Sequence, residues 1–198
     1  VHSKISYSSS LSTSTKVAKE KIILGIDPGT NVMGFGVLSI NNTKLSTLGL
    51  GAVHIKEKDY GLKLKIIFER TSSLIKQFKP DEFAIEAPFY GKNVQSMLKL
   101  GRAQGIAMAA ALMQEIPIAE YSPRKVKQSI TGSGAASKEQ VAAMIKSLVN
   151  LAEIPKDLDA TDGLAVAICH YYQSTNKFPS AGKNDWKSFL KNNPDRIK

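Results

Sequence analysis

The feature that most constrains the fold is a short apolar run at residues 22–26, Ile-Ile-Leu-Gly-Ile, which ends in the turn sequence Asp27-Pro28-Gly29-Thr30. A continuous apolar run of this length, closed by turn residues, is typical of a strand buried on both faces of a sheet. A second run, Phe-Ala-Ile-Glu-Ala at 83–87, places Glu86 inside such a strand. An ionised carboxylate there is costly unless it is paired or binds a metal. The two runs therefore predict buried strands that carry carboxylates.

The rest of the chain predicts an α/β domain with a mixed central sheet flanked by helices. Further strands are expected at 32–40, 45–55 and 116–121, with a hairpin turn at Asn41-Asn42. Helical spacing predicts a helix that Pro80 closes, a long helix over 93–114 and a short helix from Pro123. Ser137 and Gln140 form a capping-box pattern before another helix, and a last helix is expected over about 159–172.

The domain predicted in this way spans residues 21–174. Residues 1–20 are rich in Ser and Thr, and we interpret them as a disordered extension or a remnant of an expression tag. Residues 175–198 are polar and basic and are expected to form a loose tail.

Charge and cysteine content narrow the functional classes. The chain has 27 Lys and Arg against 17 Asp and Glu, a net charge of +10, which favours a polyanionic partner such as nucleic acid or an anionic membrane surface. The single cysteine, Cys169, excludes an intramolecular disulfide and a multi-cysteine zinc site. No apolar run of about 18 residues and no secretory signal are visible, so a cytoplasmic protein with no membrane partner is expected.

Four carboxylates in three places suggest metal chemistry. Asp27 ends the first buried strand, Glu86 lies in the second, and Asp159 and Asp162 share a face of the last helix. If they converge, their charges repel, and hard oxygen ligands of this kind select Mg²⁺ or Mn²⁺. Two such ions about 4 Å apart can hold the attacking and leaving oxygens of a phosphoryl displacement. Taken singly, Asp27 could be only a turn residue, and Asp159 only a helix N-cap with Asp162 in the first turn.

Aromatic and basic residues near these acids predict contacts with DNA. Phe89 and Tyr90 follow Glu86, where aromatic rings could stack on exposed bases, although a core role for Phe89 is equally open. The basic residues expected to hold the phosphate backbone are Lys92, Arg124, Lys125, Lys127 and Lys138. Small residues along the long helix permit close packing against the sheet or against a second subunit. His54 and His170 lack a metal-ligand pattern and are interpreted as structural, and Cys169 as a buried small residue.

These motifs together resemble the RuvC family of bacterial Holliday junction resolvases. The matching stretches are residues 23–30, 34–37, 83–86, 99–101, 126–128 and 159–165, in family order between about Lys21 and Gln173. Pro88, Tyr90 and Gly163 depart from the residues expected in the family.

The resemblance implies an RNase H-like fold, a homodimer and a Mg²⁺-dependent endonuclease, with Mn²⁺ possible and two ions at each active site. It implies paired symmetrical nicks in four-way DNA junctions, ends with 5′-phosphate and 3′-hydroxyl groups, and cooperation with the RuvA and RuvB branch-migration complex. It makes Asp27, Glu86, Asp159 and Asp162 the catalytic metal ligands. It places Phe89 at the junction bases, and Lys127 and Lys138 near the scissile backbone.

Three other functions compete with this interpretation. A ribonuclease H-type hydrolase of RNA–DNA hybrids would use the same carboxylates, but the stretches at 99–101 and 126–128 favour the resolvase. A basic, non-catalytic DNA-binding protein would not need all four acids. The Asp27-Pro28-Gly29-Thr30 turn also resembles the phosphate loop of actin-like sugar kinases, which need a second lobe and a much longer chain.

Overall fold

A computed structural model describes residues 20–89 and 93–175, so the Ser/Thr-rich segment and the basic tail lie almost wholly outside the described residues. The strands are β1 (Lys21–Asp27), β2 (Val32–Asn41), β3 (Lys44–His54), β4 (Glu82–Glu86) and β5 (Ile118–Tyr121). The helices are α1 (Tyr60–Phe78), α2 (Val94–Leu112), α3 (Pro123–Thr131), α4 (Lys138–Leu148) and α5 (Asp159–Thr175). None of the described helices is long and apolar enough to cross a membrane.

The strands form one mixed sheet in the order β3-β2-β1-β4-β5. β1, β2 and β3 pair antiparallel, whereas β4 pairs parallel with both β1 and β5. The predicted α/β architecture with a mixed sheet is therefore confirmed. The parallel pairing places the carboxyl ends of β1 and β4 at the same edge of the sheet.

Two hydrophobic clusters cover the two faces of the sheet. One contains the buried face of α5 together with residues of α3 and α4, and the other contains the buried faces of α1 and α2. The small residues of α2 divide between two environments. Ala103 and Ala107 are fully buried in the second cluster, whereas a Cβ added at Gly101 or Gly105 would meet no atom within 4 Å.

Helix ends follow the expected capping chemistry. Asp59, Asn93 and Ser137 accept backbone N–H groups of the helices that they begin, and Ser137 forms the predicted capping box with Gln140. β5 begins two residues later than predicted. Glu115 adopts a left-handed conformation with φ 54°, so the chain turns after α2 before it can enter the sheet.

Candidate active site

Asp27 and Glu86 lie side by side at the end of the sheet. Ile26 of β1 pairs with Ile85 of β4, and each carboxylate follows its paired residue directly. The apolar run thus fixes the buried part of each strand, and the acid comes where the strand reaches the edge. The parallel register therefore places the carboxylates of the two sequence motifs next to each other at one edge of the sheet.

The first turn of α5 brings in the other two acids because the helix backbone lies very close to β1 and β2. A Cβ at Gly34 would stand 2.3 Å from the Asp159 carbonyl oxygen, and a Cβ at Gly25 would stand 2.1 Å from that of Gly163. A Cβ at Gly163 would in turn lie 2.4 Å from Phe35 Cα. Gly163, a departure from the family pattern, therefore has a packing reason, since no larger side chain fits without a shift.

Lys138 links the two acids of α5. As the first residue of α4, it places its Nζ 2.6 Å from Asp159 Oδ1 and 2.6 Å from Asp162 Oδ2. Burial acts to lower the pKa of Lys138, but the hydrogen bonds to Asp159 and Asp162 raise it well above its ordinary value. The ammonium is therefore charged and neutralises part of the acidic charge.

The acids border a cavity of about 290 Å³. Its polar lining consists of Asp27, Glu86, Asp162, Lys127 and Lys138, and its apolar lining consists of Phe89, Pro123, Val126, Val141 and Ala165. Asp159 is not part of the lining and joins the group through Lys138. We refer to Asp27, Glu86, Asp159 and Asp162 together as the acid set.

Burial and mutual repulsion shift the titration of the acid set. Burial, and then the neighbouring Asp162 carboxylate, raise the pKa of Asp27 to about 6. Burial, followed by the charges of Asp27 and Asp162, raises the pKa of Glu86 to about 8, against the opposing ammonium groups of Lys138 and Lys127. Burial also raises the pKa of Asp162. In the metal-free protein the acids therefore hold protons at pH values where ordinary carboxylates have lost them.

The chemistry of the acid set fits a hard divalent cation, which would supply the charge that protons and Lys138 now provide. The arrangement differs from a closed metal site. Within residues 20–89 and 93–175, no group of three or more His, Cys, Asp or Glu side chains is arranged to hold a metal ion. The ammonium of Lys138 occupies the space between two of the acids instead.

The residues predicted to contact DNA divide into three groups. Phe89 is 70% exposed and lines both this cavity and a neighbouring groove of about 530 Å³, so its ring is not part of the core. Lys127 lies in the cavity wall. Arg124 and Lys125 are exposed at the start of α3, outside the cavity lining. Tyr90 and Lys92 lie outside the described residues.

The remaining sequence predictions near the site have clear outcomes. Asp159 is the first residue of α5, and its N–H is accepted by Asp157 Oδ1 at 3.1 Å, so the N-cap alternative for Asp159 is wrong.

The two described histidines have hydrogen-bond partners, as expected of structural histidines. His54 bonds Asp157, and His170 lies between Tyr121 and Glu82, with each of the three distances at 2.7 Å. Cys169 is buried and free. Asp157 is not among the residues predicted from the sequence, although an Asp two residues before a helical acid is a recognisable capping signal.

Comparison with known proteins gives a consistent result. The family model described as crossover junction endodeoxyribonuclease RuvC matches residues 23–170. A relative of that name from Cytophaga hutchinsonii is 57% identical over 180 residues, which are 90% of this chain and 89% of the relative. A relative from Bacteroides fragilis, also of that name, is 54% identical over 183 residues, covering 91% of this chain and 97% of its own length.

Solved structures agree with the sequence relatives. The structure of Thermus thermophilus RuvC in complex with Holliday junction substrate is similar with a TM-score of 0.72 at 29% identity. The match covers 78% of this chain and 94% of that chain. The RNase H-like fold expected from the motifs is thereby confirmed.

Proposed function

Because the chain belongs to the RuvC family of crossover junction endodeoxyribonucleases, we propose that it resolves four-way DNA junctions by paired, symmetrical cuts. The observation that carries the proposal is the meeting of Asp27, Glu86 and Asp162 in one cavity, framed by Lys127 and Lys138. Acids that can hold a cation lie beside cations that can hold a phosphate. This is the combination that phosphodiester cleavage requires.

The acid set would hold Mg²⁺ or Mn²⁺, and two ions at each site account best for four carboxylates. Bound there, divalent ions supply Lewis-acid activation of water and stabilise charge on the leaving oxygen, which would give 5′-phosphate and 3′-hydroxyl ends. The raised pKa values of Asp27 and Glu86 mean that binding of the cation releases protons from these carboxyl groups.

Lys138 has a second role in this proposal. Its ammonium bonds Asp162 Oδ2, one of the carboxylate oxygens that could hold a cation. Lys138 lines the cavity together with Asp162, so its ammonium is placed where it could contact a DNA phosphate beside the acid set. Lys127, which also lines the cavity, would hold the backbone there as well.

The exposed Phe89 ring is suited to stacking on a base that has left the duplex, as at a junction centre. Arg124 and Lys125 would contact the phosphate backbone further from the cut, and Tyr90 and Lys92 would extend the contacts around Phe89. These contacts would position a DNA strand for cleavage at the acid set.

Symmetrical cutting needs two active sites, so we propose a homodimer whose twofold axis coincides with that of the junction. A branch-migration complex of RuvA and RuvB is the expected partner. A monomeric mass by light scattering at micromolar concentration would contradict the dimer without touching the proposed chemistry.

The proposed substrate is tested by incubating the protein and Mg²⁺ with end-labelled four-way junction, linear duplex and RNA–DNA hybrid, with Asp27→Asn as the inactive control. Symmetrical nicks in the junction alone are expected. Preferential cutting of the hybrid would instead indicate a ribonuclease H activity. Tight junction binding without any cutting would indicate a non-catalytic DNA-binding protein.

A further inference from the structure

Two side chains outside the cavity connect the start of α5 to the end of β3. His54 is the last residue of β3, and its Nε2 lies 2.7 Å from Asp157 Oδ2 in the loop before α5. Because an ionised carboxylate only accepts hydrogen bonds, the imidazole N–H is the donor. The contact joins residues that are 103 positions apart in the chain.

Asp157 also forms hydrogen bonds with the first turn of α5. Its Oδ1 accepts the backbone N–H of Asp159 at 3.1 Å, and its carbonyl oxygen accepts the N–H of Ala160 at 3.2 Å. The first N–H groups of a helix have no partner within the helix, so Asp157 satisfies two of them at the residues that begin α5.

The position of the first turn matters for the side chain of Asp159. On the sheet side it is fixed by contact with Gly34, but Asp159 itself is held by Lys138, which a cation would displace. Without the Lys138 contact, the position of the Asp159 carboxylate depends more strongly on the backbone of the first turn. Asp157 holds that backbone through the N–H groups of Asp159 and Ala160, and His54 holds Asp157.

We infer that His54 is a positioning residue for Asp159, which holds Asp157 so that the first turn of α5 keeps the Asp159 carboxylate beside Asp162. The inference rests on the proposed function for the metal-ligating role of Asp159. The His54 and Asp157 side chains are 56% and 39% exposed, so their contact adds little to global stability. A local effect can therefore be separated from unfolding.

The test compares His54→Asn with His54→Gln. A Gln amide nitrogen stands the same number of bonds from Cα as His Nε2 and can keep the hydrogen bond, whereas the Asn amide is one bond shorter. For His54→Asn, we expect the Mn²⁺ concentration for half-maximal junction cutting to rise about tenfold. Amide exchange at Asp159 and Ala160 in the metal-free protein should accelerate by a similar factor, whereas His54→Gln should match the wild type in both.

Asp157→Ala should have at least the effects of His54→Asn, because it also removes the acceptor of the Asp159 N–H, and adding His54→Asn to it should change nothing further. Junction binding in EDTA and the melting temperature should stay unchanged. Wild-type metal dependence and amide exchange in His54→Asn, or equal losses in His54→Asn and His54→Gln, would overturn the inference. If the wild-type protein cuts no junction, the proposed function fails, but amide exchange still decides whether His54 positions α5.

Discussion

Lys138 and Asp162 form an ion pair in the lining of the cavity that we propose as the active site. Lys138 Nζ lies 2.6 Å from Asp162 Oδ2, and the same nitrogen lies 2.6 Å from Asp159 Oδ1. The ammonium therefore supplies positive charge between two acids that would otherwise repel each other. A divalent cation held by these two oxygens would compete with the ammonium for them.

The first prediction removes this ammonium. Lys138→Met should bind Mn²⁺ more tightly than the wild type, because nothing competes for Asp162, but it should cut junctions about 100-fold more slowly, because a phosphate contact is lost. Calorimetric titration with Mn²⁺ and single-turnover cleavage measure the two effects. The matched control is Lys146→Met at the exposed end of the same helix, which should change neither. Weaker Mn²⁺ binding by Lys138→Met would contradict the competition.

The second prediction concerns the acids themselves. Asp27→Asn, Glu86→Gln and Asp162→Asn should each lower the cutting rate by at least about 1,000-fold, because each removes a ligand for the catalytic cation. Gel-shift assays in EDTA should show junction binding at the wild-type level or better. Glu69→Gln, an exposed acid on α1, is the control and should cut normally. Near-normal cutting by any of the three variants would remove that residue from the site.

The third prediction is a dependence of stability on pH in the metal-free protein. The pKa of Glu86 is raised from 4.5 to about 8, so its protonated form is favoured by folding. The stabilisation is fully present below about pH 4.5 and is lost as pH rises through about 8, with a slope of up to about 1.4 kcal/mol per pH unit.

Thermal unfolding in EDTA between pH 5 and about pH 9 measures this slope, and Asp27, with a pKa of about 6, should add to it at lower pH. Glu86→Gln should flatten the curve and melt higher than the wild type at high pH. Added Mg²⁺ should restore the wild type there. A wild-type melting temperature that rises over this range, with no difference in Glu86→Gln, would contradict the assigned burial of Glu86.

The fourth prediction tests the packing that brings α5 to the sheet. Gly25→Ala places a Cβ 2.1 Å from the Gly163 carbonyl oxygen, so α5 must move. We expect a loss of about 1–3 kcal/mol in the free energy of unfolding and a loss of cutting as Asp159 and Asp162 shift. Urea unfolding checks the first effect. Gly105→Ala on α2 meets no atom within 4 Å and should be neutral or slightly stabilising.

The sequence predicts the sheet and the two acids at its edge for a clear physical reason. A buried parallel strand is an unbroken apolar run, so Asp27 and Glu86 are visible as the acids at its end or within it. Neighbouring parallel strands then bring the two together. Gly25 and Gly34 were recognised only as parts of a motif, and their role in the close approach of α5 depends on which helix packs there.

The contacts that Lys138 and His54 make are long-range, and no local sequence pattern predicts them. In the sequence, Lys138 is one of several basic residues expected to contact DNA, but in the structure it bonds two acids. Arg124 and Lys125, predicted in the same way, lie outside the cavity lining. His54 lacks a metal-ligand pattern, and its partner Asp157 is visible only once β3 and the loop before α5 are placed together.

The central claim is that this chain cuts both opposed strands of a four-way junction while the complex stays together. Its most direct test is a supercoiled plasmid that extrudes a cruciform, incubated with the protein and Mg²⁺ and sampled over time. We expect linear plasmid as the early main product, cut at symmetrical positions across the cruciform and absent with Asp27→Asn. Open circles that accumulate first, with linear plasmid appearing only through later independent nicks, would contradict it.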